Sequence, residues 1–162
     1  MARAVTAAVV LGVGNLLRQD EGVGVHAVRA LADGALSESA EFVDGGTAVF
    51  EALSQWQEIG KLVVIDALRA GREPGAISRV SLREVADRTA PPLSVHEHGL
   101  LDALALLQQA GLKVGDVVVY GVEPAETGWG IELSEPVAAS LPQLAVRLRG
   151  ELGLTPIEEM PV

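Results

Sequence analysis

Apolar positions follow two rhythms along this chain. Val5 to Val13 is a nearly unbroken apolar, β-branched run, the pattern of a strand buried on both faces. Leu62 to Ile65 and Asp116 to Gly121 repeat it, and Glu41 to Val43 predicts a shorter strand ended by the turn Asp44-Gly45-Gly46. Ile77 to Leu82 alternates weakly, as an edge strand would, after a Gly- and Pro-rich stretch at 70–76. Between these runs the spacing changes to that of helices. Gly22 to Ala32 carries Val25, Val28 and Leu31 on one face. Thr47 is the expected N-cap of a helix turning Val49, Phe50, Leu53 and Trp56 inward. Glu97 to Gln109 places Leu100, Ala103, Leu104 and Leu107 on one stripe, and Ser134 to Leu148 does so with Leu141, Leu144 and Leu148. Pro142 must either delay that last helix or kink it.

Strands that alternate with helices predict an α/β fold: a three-layer α-β-α sandwich with a mostly parallel, twisted sheet of about five strands and helices on both faces. Its crossovers should be right-handed. No repeat or internal linker interrupts the pattern, so residues 1–150 are expected to form one domain, with 151–162 a loosely held tail. In such sheets ligands bind beyond the carboxyl ends of the strands, where the strand order reverses.

Composition narrows the picture. Of the 162 residues 49% are hydrophobic but only 3% aromatic, so the core must be built from Val, Leu, Ala and Ile. The net charge of −10, with no offsetting block of Lys and Arg, argues against nucleic acid and anionic membranes as partners. Cysteine is absent, which removes disulfides, thiolate ligands and a Cys nucleophile, and leaves nitrogen and oxygen as the only metal donors. The apolar run behind Arg3 faintly suggests a signal peptide. It is too short to span a membrane and leads straight into Gly14, Asn15, Asp20 and Glu21 without a small-residue cleavage pattern. A buried first strand accounts for it better, and the protein is expected to be a cytoplasmic monomer.

Candidate chemistry clusters at the predicted strand ends. Asp20 and Glu21 follow the first strand, Asp44 the second and Asp66 the third, while His96 and His98 precede the Leu-rich helix. Carboxylates and an imidazole converging from different loops would make an open metal site, suited to nickel or zinc more than to calcium. Each residue also has an ordinary explanation. Asp20 or Glu21 could favour a helix dipole, Asp44 could be only a turn former, and the histidines could be loop residues. His26, among apolar neighbours in the first helix, is read as structural or surface. Asp66 is harder to explain so, because a carboxylate ending a fully apolar strand is partly desolvated and needs a partner. Gly12-x-Gly14 hints at a dinucleotide loop, but Leu17 stands where the third glycine belongs and two acids occupy the phosphate position.

Taken together, five segments resemble the hydrogenase maturation proteases. They are Gly12-Val13-Gly14-Asn15-Leu16-Leu17 with Asp20-Glu21-Gly22-Val23-Gly24, then Asp44-Gly45-Gly46-Thr47, Val63-Val64-Ile65-Asp66-Ala67, Ser94-Val95-His96-Glu97-His98-Gly99-Leu100 and Gly121-Val122-Glu123-Pro124. They occur in the family's order and span residues 5 to about 148. The resemblance implies an endopeptidase that removes a short C-terminal extension from the large-subunit precursor of a nickel–iron hydrogenase after nickel insertion. Cleavage would follow a His or Arg beyond the last metal-binding Cys segment. The family's metal ligands fall on Glu21, Asp66 and His96, where many relatives have Asp in place of Glu21; His98 would be at most an outer-shell residue. Nickel would arrive with the precursor, and Asp44 would orient the substrate strand or the water. Two rivals use the same residues differently: a non-catalytic nickel-binding module that inspects precursors, and a nucleotide-binding domain.

Overall fold

The computed structural model describes residues 4–32, 35–82 and 97–154. Five strands form one sheet in the order β2-β1-β3-β5-β4. β1 (Ala4–Val13), β2 (Glu41–Gly46), β3 (Trp56–Ala67) and β5 (Lys113–Val122) are parallel, and β4 (Ile77–Ser81) pairs antiparallel with β5 at the edge. The three-layer α/β fold expected from the sequence is the one observed.

The sheet divides the core by the period of two that strands impose. Val9, Leu11, Val13, Leu62 and Val64 face one side, where α3 (Val49–Leu53) and α4 (Glu97–Gln109) cover them. Val10, Val63 and Ile65 face the other, under α1 (Val23–Leu31) and α5 (Glu135–Glu151). The short α2 (Ala35–Ser39) adds Leu36 to this second layer. Each fully buried Val or Leu contributes about 1.5–3 kcal/mol of transfer free energy, so an almost wholly aliphatic core suffices. β1 and β5 are exposed at their amino ends and buried at their carboxyl ends.

Several elements differ from the sequence expectation. The helix after Thr47 has Ala48 at its N-cap with no side-chain cap, and it stops at Leu53. Phe50 is 42% exposed, and Trp56 opens β3 instead of closing the helix. β3 is far longer than Leu62–Ile65 because its polar amino half still pairs with β1 and β5. β2 absorbs the expected turn: Asp44 pairs with Gly12 and Gly46 with Val13, across a register shift. α5 starts on time, since Pro136 sits in the first turn where no N–H is needed, and it continues past Pro142. It ends at Glu151, inside the expected tail, and Leu154 N–H still donates to the Arg149 carbonyl at 2.9 Å. Residues 155–162 of that tail lie outside the described residues. Among the described residues no helix is long and apolar enough to cross a membrane.

α1 approaches the sheet more closely than side chains allow. A Cβ on Gly24 would overlap the Ile65 carbonyl of β3 and reach the Val13 carbonyl of β1 at 2.5 Å. The first turn of α1 therefore rests on the carboxyl ends of the two central strands.

Candidate metal centre

β1 and β3 are neighbours, yet β1 is flanked on its other side by β2, and β3 by β5. The strand order thus reverses between β1 and β3, and the crevice beyond their carboxyl ends is the topological switch point. Two of the carboxylates expected to matter, Asp66 and Glu21, lie beside it.

Asp66 is the penultimate residue of β3 and only 5% exposed. Its Oδ1 accepts a hydrogen bond from the Ala67 N–H at 2.8 Å. Glu21 sits in a 3-10 turn, Gln19–Gly22, that leads directly into α1 and packs against β3. That turn is fixed by another close approach: Gly14 has φ of +138°, and a Cβ there would overlap the Glu21 carbonyl. The element bearing the half-buried Glu21 is therefore pressed against the strand bearing the buried Asp66.

Asp44 stands apart. Its Oδ2 accepts from Arg29 Nη2 at 2.7 Å and Nε at 3.1 Å, in an exposed ion pair between β2 and α1. Such pairs contribute at most about 1 kcal/mol. His96 lies outside the described residues, as does the side chain of His98. α4 begins at Glu97, and Gly99 in its first turn lines an open groove of about 250 Å³ together with Thr47 to Glu51, Ala103 and Leu106. The start of α4 accordingly stands beside the loop that leaves β2. Among the described residues no three His, Asp or Glu side chains gather closely enough to hold an ion.

The acidic pair Asp20-Glu21 divides by burial, Glu21 half-buried and Asp20 enclosed. Asp20 is fully buried and accepts four hydrogen bonds: from the N–H groups of Ala125 (2.9 Å), Glu126 (2.8 Å) and Ser134 (2.8 Å) and from the Ser134 hydroxyl (2.7 Å). It ties the Glu21 turn to the loop after β5. Nothing local in the sequence announces this, since every partner lies more than a hundred residues away. Glu123, in the last of the five motifs, is likewise a strut: it accepts from the Ala70 N–H at 2.7 Å and anchors the loop after β3. His26 is half-buried, and its Nε2 is the one buried side-chain nitrogen or oxygen among the described residues without a hydrogen-bond partner.

Comparison with known proteins agrees with this architecture. Residues 25–150 match the family model described as hydrogenase maturation protease. The hydrogenase expression/formation protein HupM of Azotobacter chroococcum is 37% identical over 143 residues, covering 86% of this chain and 68% of that protein. The hydrogenase 2 maturation protease of Escherichia coli is 31% identical over 154 residues, covering 94% of both chains. Among solved structures, the [NiFe] hydrogenase maturation protease HybD from Thermococcus kodakarensis superposes with a TM-score of 0.73 at 28% identity, over 90% of this chain and 98% of that one. The hydrogenase maturating endopeptidase HybD from Escherichia coli does so with a TM-score of 0.70 at 27% identity, over 95% and 99%. A buried carboxylate at a switch point, motifs in matching order and near-complete coverage lead to one conclusion: the chain belongs to the hydrogenase maturation protease family.

Proposed function

We propose that this chain removes the C-terminal extension from the nickel-loaded large-subunit precursor of a nickel–iron hydrogenase, with Glu21, Asp66 and His96 engaging the metal. The observation that carries the reading is the placement of Asp66. It is buried at the carboxyl end of β3, at the switch point of the sheet, on the strand against which the turn bearing Glu21 packs, so two carboxylates meet at the crevice where ligands of such sheets bind. Two carboxylates and an imidazole are a donor set that suits nickel, and a chain without cysteine offers no competing thiolate.

Nickel here is part of the substrate. When bound, it would polarise the scissile carbonyl and lower its barrier to attack. The chain's own residues hold the precursor by that ion and align one peptide bond in the crevice. Water is the nucleophile, since the sequence provides no cysteine and no Ser arrangement for an acyl-enzyme. Asp44, at the β2 rim, is the candidate for orienting the substrate strand or that water. The non-catalytic inspection module is the weaker alternative, because the relatives with a stated activity are proteases and endopeptidases.

The test is a cleavage assay on nickel-loaded precursor. Wild-type protein should shorten the large subunit, while Glu21→Ala, Asp66→Ala and His96→Ala should each abolish shortening and keep a native circular dichroism spectrum. Normal cleavage by Asp66→Ala would show that the site is misassigned. Metal-free precursor should stay uncut.

A further inference from the structure

The loop that precedes Glu21 is clasped to the loop after β5. Gln19 N–H donates to the Gly130 carbonyl at 2.9 Å, and Gly130 N–H returns a bond to the Leu17 carbonyl at 2.9 Å. Arg18 Nε reaches the Thr127 carbonyl at 2.9 Å, and Gln19 Oε1 accepts from the Gly128 N–H at 3.0 Å. The buried Asp20 adds its own bonds to Ala125, Glu126 and Ser134. Gln19 is the only non-glycine with positive φ among the described residues, at +49°. That conformation is unfavourable for a residue with a side chain, and the surrounding bonds impose it.

What this rigid clasp displays is apolar. Leu17 is 57% exposed, Ile131 67% and Trp129 78%. The Trp129 ring is steadied from one side by the Arg18 guanidinium, 4.9 Å from its centroid. An exposed Trp flanked by aliphatic side chains on an immobilised backbone is the composition of an interface anchor. It offers a large apolar area and loses little freedom on binding.

We infer that Leu17, Trp129 and Ile131 form a docking rim for the body of the hydrogenase large-subunit precursor, receiving an apolar patch of that protein beside its cleavage segment. The inference rests on the proposed site for its location: Leu17 and Gln19 belong to the same loop as Glu21, so a protein held by the rim is held next to the crevice. Charge argues against a second copy of this chain as the occupant. Two copies each carrying a net charge of −10 repel one another, and Glu126 and Glu132 add acids next to the patch. The same charge disfavours an anionic membrane.

Steady-state cleavage of nickel-loaded precursor by Trp129→Ala tests this. KM should rise about tenfold or more, with kcat within about twofold of wild type and an unchanged melting temperature, since the ring is mostly solvent-exposed. Ile131→Ser should act in the same direction. Precursor binding, measured by surface plasmon resonance, should weaken in parallel when Trp129→Ala is added to the Asp66→Ala protein. This arm reads docking whether or not Asp66 is a ligand, so it separates failure of the rim from failure of the site. Wild-type KM and binding in Trp129→Ala would overturn the inference, as would a loss confined to kcat. A wild-type dimer in sedimentation velocity that Trp129→Ala dissociates would also overturn it, by making a second copy the occupant.

Discussion

The Arg79 guanidinium of β4 donates to both carboxylate oxygens of Glu151, at 2.6 and 3.3 Å, and so fastens the last residue of α5 to the edge of the sheet. Lys61 of β3 pairs with the same carboxylate, and the Tyr120 hydroxyl of β5 donates to it at 2.7 Å. One half-turn of helix is thereby tied to three strands.

This cluster predicts how stability responds to acid. The hydrogen bond from Arg79, followed by those from Lys61 and Tyr120, holds the Glu151 carboxyl down at about 2. A group whose folded pKa is depressed stabilises the fold above its unfolded value and loses that contribution as pH falls through the folded one. The loss should fall between about 4.5 and about 2. Urea unfolding of Glu151→Gln should show lower stability at neutral pH, by about 1–3 kcal/mol, and a smaller decline across that window than wild type. Parallel declines in the two proteins would rule the cluster out as the cause.

At the alkaline end Tyr120 gives the opposite sign. Burial, and then its bond to Glu151, pushes its hydroxyl up to about 12. A raised folded pKa stabilises below the unfolded value and is lost as pH rises. Tyr120→Phe should therefore unfold with a flatter dependence than wild type between about 10 and about 12, as followed by fluorescence.

Asp20 should behave as a strut. An Asn in its place keeps the shape but presents an amide donor to a cluster of donors. The expected cost is about 1–3 kcal/mol, a fall of roughly 3–10 °C in Tm. Because the same cluster fixes the Glu21 turn, cleavage at temperatures where the variant is fully folded should fall as well. Wild-type stability in Asp20→Asn would contradict the four-bond arrangement.

Gly24→Ala probes the seat of α1. The added methyl meets the backbone carbonyls of Ile65 and Val13, which belong to the central strands and cannot yield as a side chain can. Overpacking of this kind costs about 1–3 kcal/mol or more, and lifting α1 would also part the Glu21 turn from Asp66. Both stability and processing should drop. A soluble variant with wild-type Tm would mean that the close approach relaxes without penalty.

For Asp44 the expectation is a separation of effects. Its pair with Arg29 is exposed and contributes little to the fold. Asp44→Ala should shift Tm by no more than about 3 °C yet slow cleavage. Undiminished processing would reduce Asp44 to a clasp between β2 and α1.

The central strands and the amphipathic α4 were legible in the sequence because their patterns are set by burial alone. Leu100, Ala103, Leu104 and Leu107 are all buried, as their spacing required. The polar start of β3 was not legible, since Glu58 and Lys61 owe their strand conformation to pairing with β1 and β5 and not to apolar periodicity. Trp56 is ambiguous for a related reason: an aromatic residue three positions after Leu53 fits a helix face as well as the first residue of a strand. At the site, Asp66 stood out because a carboxylate after four apolar residues is conspicuous. The strut role of Asp20 stayed hidden, because it depends on partners more than a hundred residues away.

That separation also sets an order of events during synthesis. Glu21 emerges early, but the partners of its neighbour Asp20 are Ala125, Glu126 and Ser134. Until residues 125–134 have been made, the turn bearing Glu21 lacks the bonds that its neighbour Asp20 accepts. A nascent chain therefore carries an unfinished site until the segment from Ala125 to Ser134 has been made.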